Sequence, residues 1–139
     1  MTKIILLLLL TLSVGFASAV KWEKDYATAL KQSKALNKPM MLVISNHHCH
    51  FCVQFEETAL SSPKVIQKLN SNYVVSIVYV DENPVFPHDL NVGGTPATWF
   101  LQSNGEALFE PLMGAIDTVS FLKALDIVSA EYKNKSTKK

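Results

Sequence analysis

The sequence predicts an α/β domain: a central mixed sheet of about four strands with helices on both faces. Three observations carry this expectation. A continuous apolar run of strand length, Met40 to Ile44, and a run rich in Val, Ile and Tyr, Tyr73 to Val80, alternate with stretches of helical period. Runs apolar at successive positions are covered on both sides, which places them centrally in the sheet. The segment Ser103-Asn104-Gly105-Glu106 is a hairpin turn, so the last two strands pair antiparallel, whereas strands joined by helical crossovers pair parallel.

The chain opens with a polar stretch carrying Lys3, runs through an apolar core from Ile4 to Leu12, and reaches the small residues Ala17-Ser18-Ala19. This is the layout of a cleavable secretory signal over residues 1–19, with an apolar run well short of the roughly 20 residues that span a bilayer. Residues 20–132 suit one domain with one core, and the Lys-rich end, 133–139, is expected to be a flexible solvated tail. Loss of Lys3 with the signal leaves 12 Lys against 12 Asp plus Glu, and the chain has no Arg. That balance offers no phosphate-tracking surface, so nucleic acid is not an expected partner.

Within the domain, Trp22 to Asn37 is charged and interrupted by Ala27, Ala29, Leu30, Ala35 and Leu36, an amphipathic first helix that Pro39 ends. After the strand from Met40, the loop Ser45-Asn46-His47-His48 leads to a second helix, Cys52 to Leu60, with Phe55 and Leu60 inward. Ser62-Pro63 is a cap followed by proline at the first helical position, starting a short helix through Val65, Ile66 and Leu69. The strand to Val80 is followed by a loop with one helical turn, Asp81 to Val92. A third strand, Ala97 to Gln102, turns back into Ala107 to Glu110. Asp117 caps a closing helix carrying Val119, Phe121, Leu122, Leu125, Ile127 and Val128.

Two cysteines three positions apart close too small a loop to constrain an unfolded chain, so their purpose is chemical. Cys49-His50-Phe51-Cys52 falls where a buried strand gives way to a helix. Unpaired N–H groups and the positive end of the helix dipole favour a thiolate there. Cys49 is therefore expected to be the attacking sulfur, and Cys52, one turn further in, the sulfur that displaces a mixed disulfide.

These residues resemble the thioredoxin superfamily, and within it the thioredoxin-like reductase domains of the DsbD type and their small exported relatives. The resemblance covers roughly Trp22 to Phe121. It is carried by Ala35-Leu36-Asn37-Lys38-Pro39-Met40-Met41-Leu42, the Cys pair with Phe55-Glu56, Ser62-Pro63-Lys64-Val65, Gly94-Thr95-Pro96 and Met113-Gly114-Ala115. It implies a thioredoxin fold, a cis peptide bond before Pro96, and a Thr95 backbone that pairs with extended substrate. It also implies that Phe51 contacts substrate and tunes the potential, and that no cofactor is needed. The implied activity is thiol:disulfide exchange on exported proteins in a periplasm, as a reductase or isomerase rather than an oxidase. A membrane or soluble thiol donor would recharge the dithiol.

Three positions depart from that pattern. Val43 stands where thioredoxins carry a buried acid that handles the proton of the second Cys, His48 replaces the usual Trp, and Val53 replaces a frequent Lys. Glu56 and Glu57 are candidates for the missing proton acceptor by nearness in sequence. His48 and His50 are candidates for tuning the ionisation of Cys49. With His47 and the thiols they could alternatively hold copper(I) or zinc, although adjacent histidines are poorly spaced for one ion and no metal ligands are assigned. A further alternative is a non-catalytic module that binds a partner through the Pro96 surface.

Overall fold

The computed structural model describes residues 19–138; the expected signal peptide, but for its last residue, lies outside the described residues. Strand β2 (Met40–Ser45) and strand β3 (Val74–Tyr79) pair parallel along their whole length, from Met40↔Val74 to Ser45↔Tyr79. Strand β4 (Ala97–Leu101) pairs antiparallel with the other side of β2. Two short strands close the edges. Strand β1 (Trp22–Glu23) joins β3 in parallel and β5 (Leu112–Met113) joins β4 antiparallel, giving the order β1-β3-β2-β4-β5.

Strand β1 replaces the start of the expected first helix. Helix α1 (Tyr26–Leu36) starts only after Asp25, whose side chain accepts from the Thr28 N–H at 2.7 Å, and Trp22 and Glu23 are drawn instead to the edge of β3. Its buried residues are Tyr26, Ala29 and Ser33, while Leu36 is exposed. The hairpin turn closes as expected, with Gly105 at φ 90° and its N–H donating to the Gln102 carbonyl at 2.9 Å. Its return limb makes one bridge, Leu101↔Ala107, and then leaves the sheet; Pro111 lacks the N–H a ladder needs, and β5 forms only beyond it.

Helix α2 (His50–Glu57), helix α3 (Pro63–Asn72) and helix α4 (Thr118–Thr137) complete the fold. The sheet divides two cores, as the strand alternation dictates. Met41 and Val43 face Phe55, Leu69, Phe100, Phe121 and Leu125, whereas Met40, Leu42 and Ile44 face Tyr26, Ala29, Trp99 and Leu101. Helix α4 is capped by Asp117 and buries Phe121, Leu125 and Val128, but Val119 and Ile127 point outward. It also continues to Thr137, past the expected domain end at 132. Tyr132 is buried against the fold and donates to the Asn37 side chain at 2.9 Å, which fixes the turn before residues 133–137.

Candidate active site

Strand β2 ends at Ser45, and the turn after it is held by the Cys49 N–H donating to the Asn46 carbonyl at 3.2 Å and the His48 N–H donating to the Asn46 side chain at 2.8 Å. This delivers Cys49 as the N-cap of α2 with extended backbone, φ −94° and ψ 116°. A cap residue aims its side chain back at the free N–H groups of the first turn. Here the acceptor is sulfur: the Cys52 N–H donates to Cys49 Sγ at 3.3 Å. From the opposite side the carbonyl of Thr95 accepts from Cys49 Sγ at 3.5 Å, across a chain separation that only the fold closes. The Thr95–Pro96 bond is cis, Pro96 is buried, and its carbonyl accepts from Gly114 N–H at 2.9 Å.

The two free sulfurs occupy different environments. Cys49 is partly exposed and Cys52 is fully buried. Partial burial pushes the Cys49 thiol up, but hydrogen bonds from the Cys52 thiol, from the Thr95 side chain and from the Cys52 and Phe51 N–H groups together outweigh it, and the thiol titrates below its ordinary value. Burial pushes Cys52 up, and its hydrogen bond to Cys49 adds to this; contacts to Thr95, Ser45 and the Asn46 backbone only partly offset the rise.

Two of the histidines, His47 and His48, turn toward Asp81. His47 stacks on Tyr79 at 3.8 Å and its Nδ1 lies 2.9 Å from Asp81 Oδ2, with Glu82 on the other ring nitrogen at 3.6 Å. His48 is largely exposed, and His50 packs edge-on against Phe51 at 5.5 Å. Among the described residues no three His, Cys, Asp or Glu side chains converge as a metal site would require. Phe51 is exposed beside Cys49, whereas Trp99 is buried with its ring N–H donating to the Leu90 carbonyl at 2.8 Å. Of the two carboxylates considered for Cys52, Glu57 faces solvent and Glu56 turns inward, accepting from Ser45 Oγ at 2.6 Å and from the Tyr79 hydroxyl at 3.1 Å. Sequence reasoning did not single out Ser45 or Tyr79. Their one signal is a hydroxyl ending each of two apolar strands, and only the β2–β3 register sets them side by side.

The model of the thioredoxin-like domain matches residues 26–129, most of the chain. The protein belongs to the thioredoxin-like family. A search of the curated proteins finds no match. Among solved structures, a thioredoxin from Thermus thermophilus is 30% identical with a TM-score of 0.66, the alignment covering 81% of this chain and 88% of that one. The DsbH oxidoreductase superposes with a TM-score of 0.63 at 23% identity, over 79% of this chain and 86% of its own. The C-terminal domain of DsbD from Neisseria meningitidis, in its oxidised form, gives 0.56 at 23% identity over 73% and 95%. At that identity the last two share the fold with this thioredoxin-like chain, and the Cys49-x-x-Cys52 pair sits at the head of its α2.

Proposed function

We propose that this thioredoxin-like protein is an exported thiol:disulfide oxidoreductase acting on protein disulfides in the periplasm, in the reducing or isomerising direction. The observation that carries this reading is the unequal pair: a partly exposed sulfur capping a helix, backed by a buried sulfur one turn inward. The Cys49 thiolate attacks one sulfur of a substrate disulfide, forming a Cys49–substrate disulfide and expelling the other substrate sulfur as a thiolate that takes a proton. Cys52 then gives up its proton and attacks Cys49 Sγ, closing the intramolecular disulfide and releasing the second substrate thiol. Two electrons have passed from the dithiol to the substrate, and an external thiol donor restores them.

The surroundings support this use. Thr95 and Pro96 border the attacking sulfur and give an extended substrate segment a backbone edge to lie against. Phe51 offers an apolar contact on the same rim. The hydrogen bonds that favour the Cys49 thiolate come from Cys52, Thr95 and Phe51, and His48 and His50 are not among them. The signal-like N-terminus and the Cys49-x-x-Cys52 spacing together motivate the assignment of disulfide-containing exported proteins as substrates.

The test is reduction of insulin by protein charged with dithiothreitol. Wild type should accelerate it, and Cys49→Ser should abolish the acceleration while leaving the circular-dichroism spectrum unchanged. Retained turnover in that variant overturns the mechanism.

A further inference from the structure

Resolution requires Cys52, buried and holding its proton, to lose that proton inside the fold. The position from which thioredoxins supply an acid is Val43, fully buried among Phe55, Phe100 and Phe121. Two residues along β2, on the same face, stands Ser45. Its side chain is buried, and its hydroxyl donates to Glu56 Oε1 at 2.6 Å. The other carboxylate oxygen is held by the Tyr79 hydroxyl at 3.1 Å, from the residue paired with Ser45 across β2 and β3. Glu56 is one helical turn beyond Cys52 on α2, so both hang over the same strand end. We propose that Ser45 and Glu56 form the proton outlet of Cys52, the Ser45 hydroxyl relaying the proton and the Glu56 carboxylate receiving it.

This rests on the thiol-exchange reading above and assigns the step that reading leaves without a base. A serine hydroxyl has one proton and two lone pairs. While it donates to Glu56 it can accept from the Cys52 thiol. In the mixed disulfide the Cys52 S–H bond breaks, its proton passes to Ser45 Oγ, and the Ser45 proton passes to Glu56 Oε1. The Cys52 electron pair then forms the bond to Cys49 Sγ and the substrate sulfur leaves with the electrons of the broken S–S bond. The proton on Glu56 goes on to solvent or to the departing thiolate, so the atoms balance with substrate disulfide as the only oxidant. Ser45 is also one of the groups beside Cys52 that partly offset the rise of its thiol. An exit exists: Glu56 and Tyr79 line a surface cleft with Trp22 and Ile77. Tyr79 does not compete as a base, because burial first and the Glu56 charge second push it up to about 12, so it stays a donor. The groups facing Glu56 are thus Ser45 from β2, Tyr79 from β3 and His47 from the preceding loop, with Asp81 and Glu82 behind Tyr79 and Cys52 one turn back on its own helix.

Stopped-flow reaction of the reduced protein with an aryl disulfide that releases a coloured thiolate reads both steps. The first equivalent reports attack by Cys49 and the second reports resolution by Cys52. Glu56→Gln keeps the volume and an oxygen for Ser45 and Tyr79. It should slow the second phase by roughly 100-fold at pH 6 to 7, the low end of general-base assistance, and leave the first phase within about twofold. The deficit should shrink as pH rises past about 9, where hydroxide removes the thiol proton unaided. Ser45→Ala should match it, Ser45→Thr should restore the rate, and the double variant should be no slower than the slower single one. An unchanged second phase, or a deficit equal at every pH, overturns the relay. Absence of the first phase in wild type would instead sink the thiol-exchange reading itself.

Discussion

Thr98 carries the clearest internal conflict in the fold. It lies on β4 opposite Val43, is fully buried on the face shared with Phe55, Phe100 and Phe121, and among the described residues its hydroxyl finds no partner. Replacing Thr98 with Val exchanges that hydroxyl for a methyl group of nearly the same shape, so no cavity opens and the β-branched preference for strand is kept. A buried polar group left unsatisfied costs about 1–3 kcal/mol, so removing it should stabilise the protein by about 1–2 kcal/mol. With about 120 residues in the described domain, and an unfolding entropy near 2.1 cal/mol/K per residue, each kcal/mol moves the midpoint by roughly 4 °C. The expected rise in Tm is therefore about 4–8 °C, read by thermal circular dichroism, with a higher urea midpoint at unchanged m-value. A fall in Tm would refute the reasoning, since it would mean that the hydroxyl is satisfied, for instance by a buried water.

His47 should make a pH-dependent contribution to stability. The hydrogen bond to Asp81 raises its pKa above the ordinary value; partial burial pushes Asp81 up, but bonds from the His47 ring and N–H outweigh it, and Asp81 titrates low. A raised His pKa gives stability that is complete below its unfolded value, about 6.5, and lost as pH rises through the folded value; a lowered Asp pKa gives stability lost as pH falls through it. His47→Gln should therefore lower Tm most at about pH 5 to 6 and least in alkali, and a gap that widens with rising pH would contradict the ion pair. Phe51→Ala, at an exposed position, should change stability by less than about 0.5 kcal/mol, yet raise KM for a protein disulfide with little change in kcat. Equal losses in KM and in reactivity toward a small aryl disulfide would assign Phe51 to the sulfur chemistry instead.

Local chemistry made most of the scaffold legible. Met40 to Ile44 is apolar at every step because it is covered on both faces, the run ending at Val80 is rich in Val, Ile and Tyr around a buried Ser76, and β2 and β3 fall there. The Asp25 and Asp117 caps are local signals too, although the charged Trp22-Glu23-Lys24 stretch masks where α1 begins. What could not be read depends on pairing at a distance. Trp22 and Glu23 are strand only because Val75 and Ser76 lie beside them, and β5 is strand only because β4 has a free edge. At the site, the cysteines and Pro96 carry recognisable spacing, whereas Ser45, Glu56 and Tyr79 come from three elements and acquire a common purpose only through register. Glu56 and Glu57 are adjacent in sequence, and helix rotation alone decides that one faces the strands and the other faces water.

The two sulfurs are coupled in a way that orders the chemistry in time. While Cys49 is ionised, the Cys52 thiol hydrogen-bonds to it; after burial, this bond is the larger reason that Cys52 holds its proton. The same bond helps lower the Cys49 thiol, so the first negative charge to form on the pair sits on the outer sulfur. Once Cys49 joins a substrate sulfur, that charge is gone and the hold on the Cys52 proton weakens, just when Cys52 must attack. Cys52 should therefore titrate lower in Cys49→Ser than in wild type, though still above an ordinary thiol because it remains buried. Ultraviolet thiolate absorbance against pH measures this directly, with the variant carrying one titrating sulfur and wild type two. A Cys52 midpoint as high in the variant as in wild type would show that burial alone sets it, and the ordering of attack before resolution would then have to come from the Ser45–Glu56 outlet rather than from the pair itself.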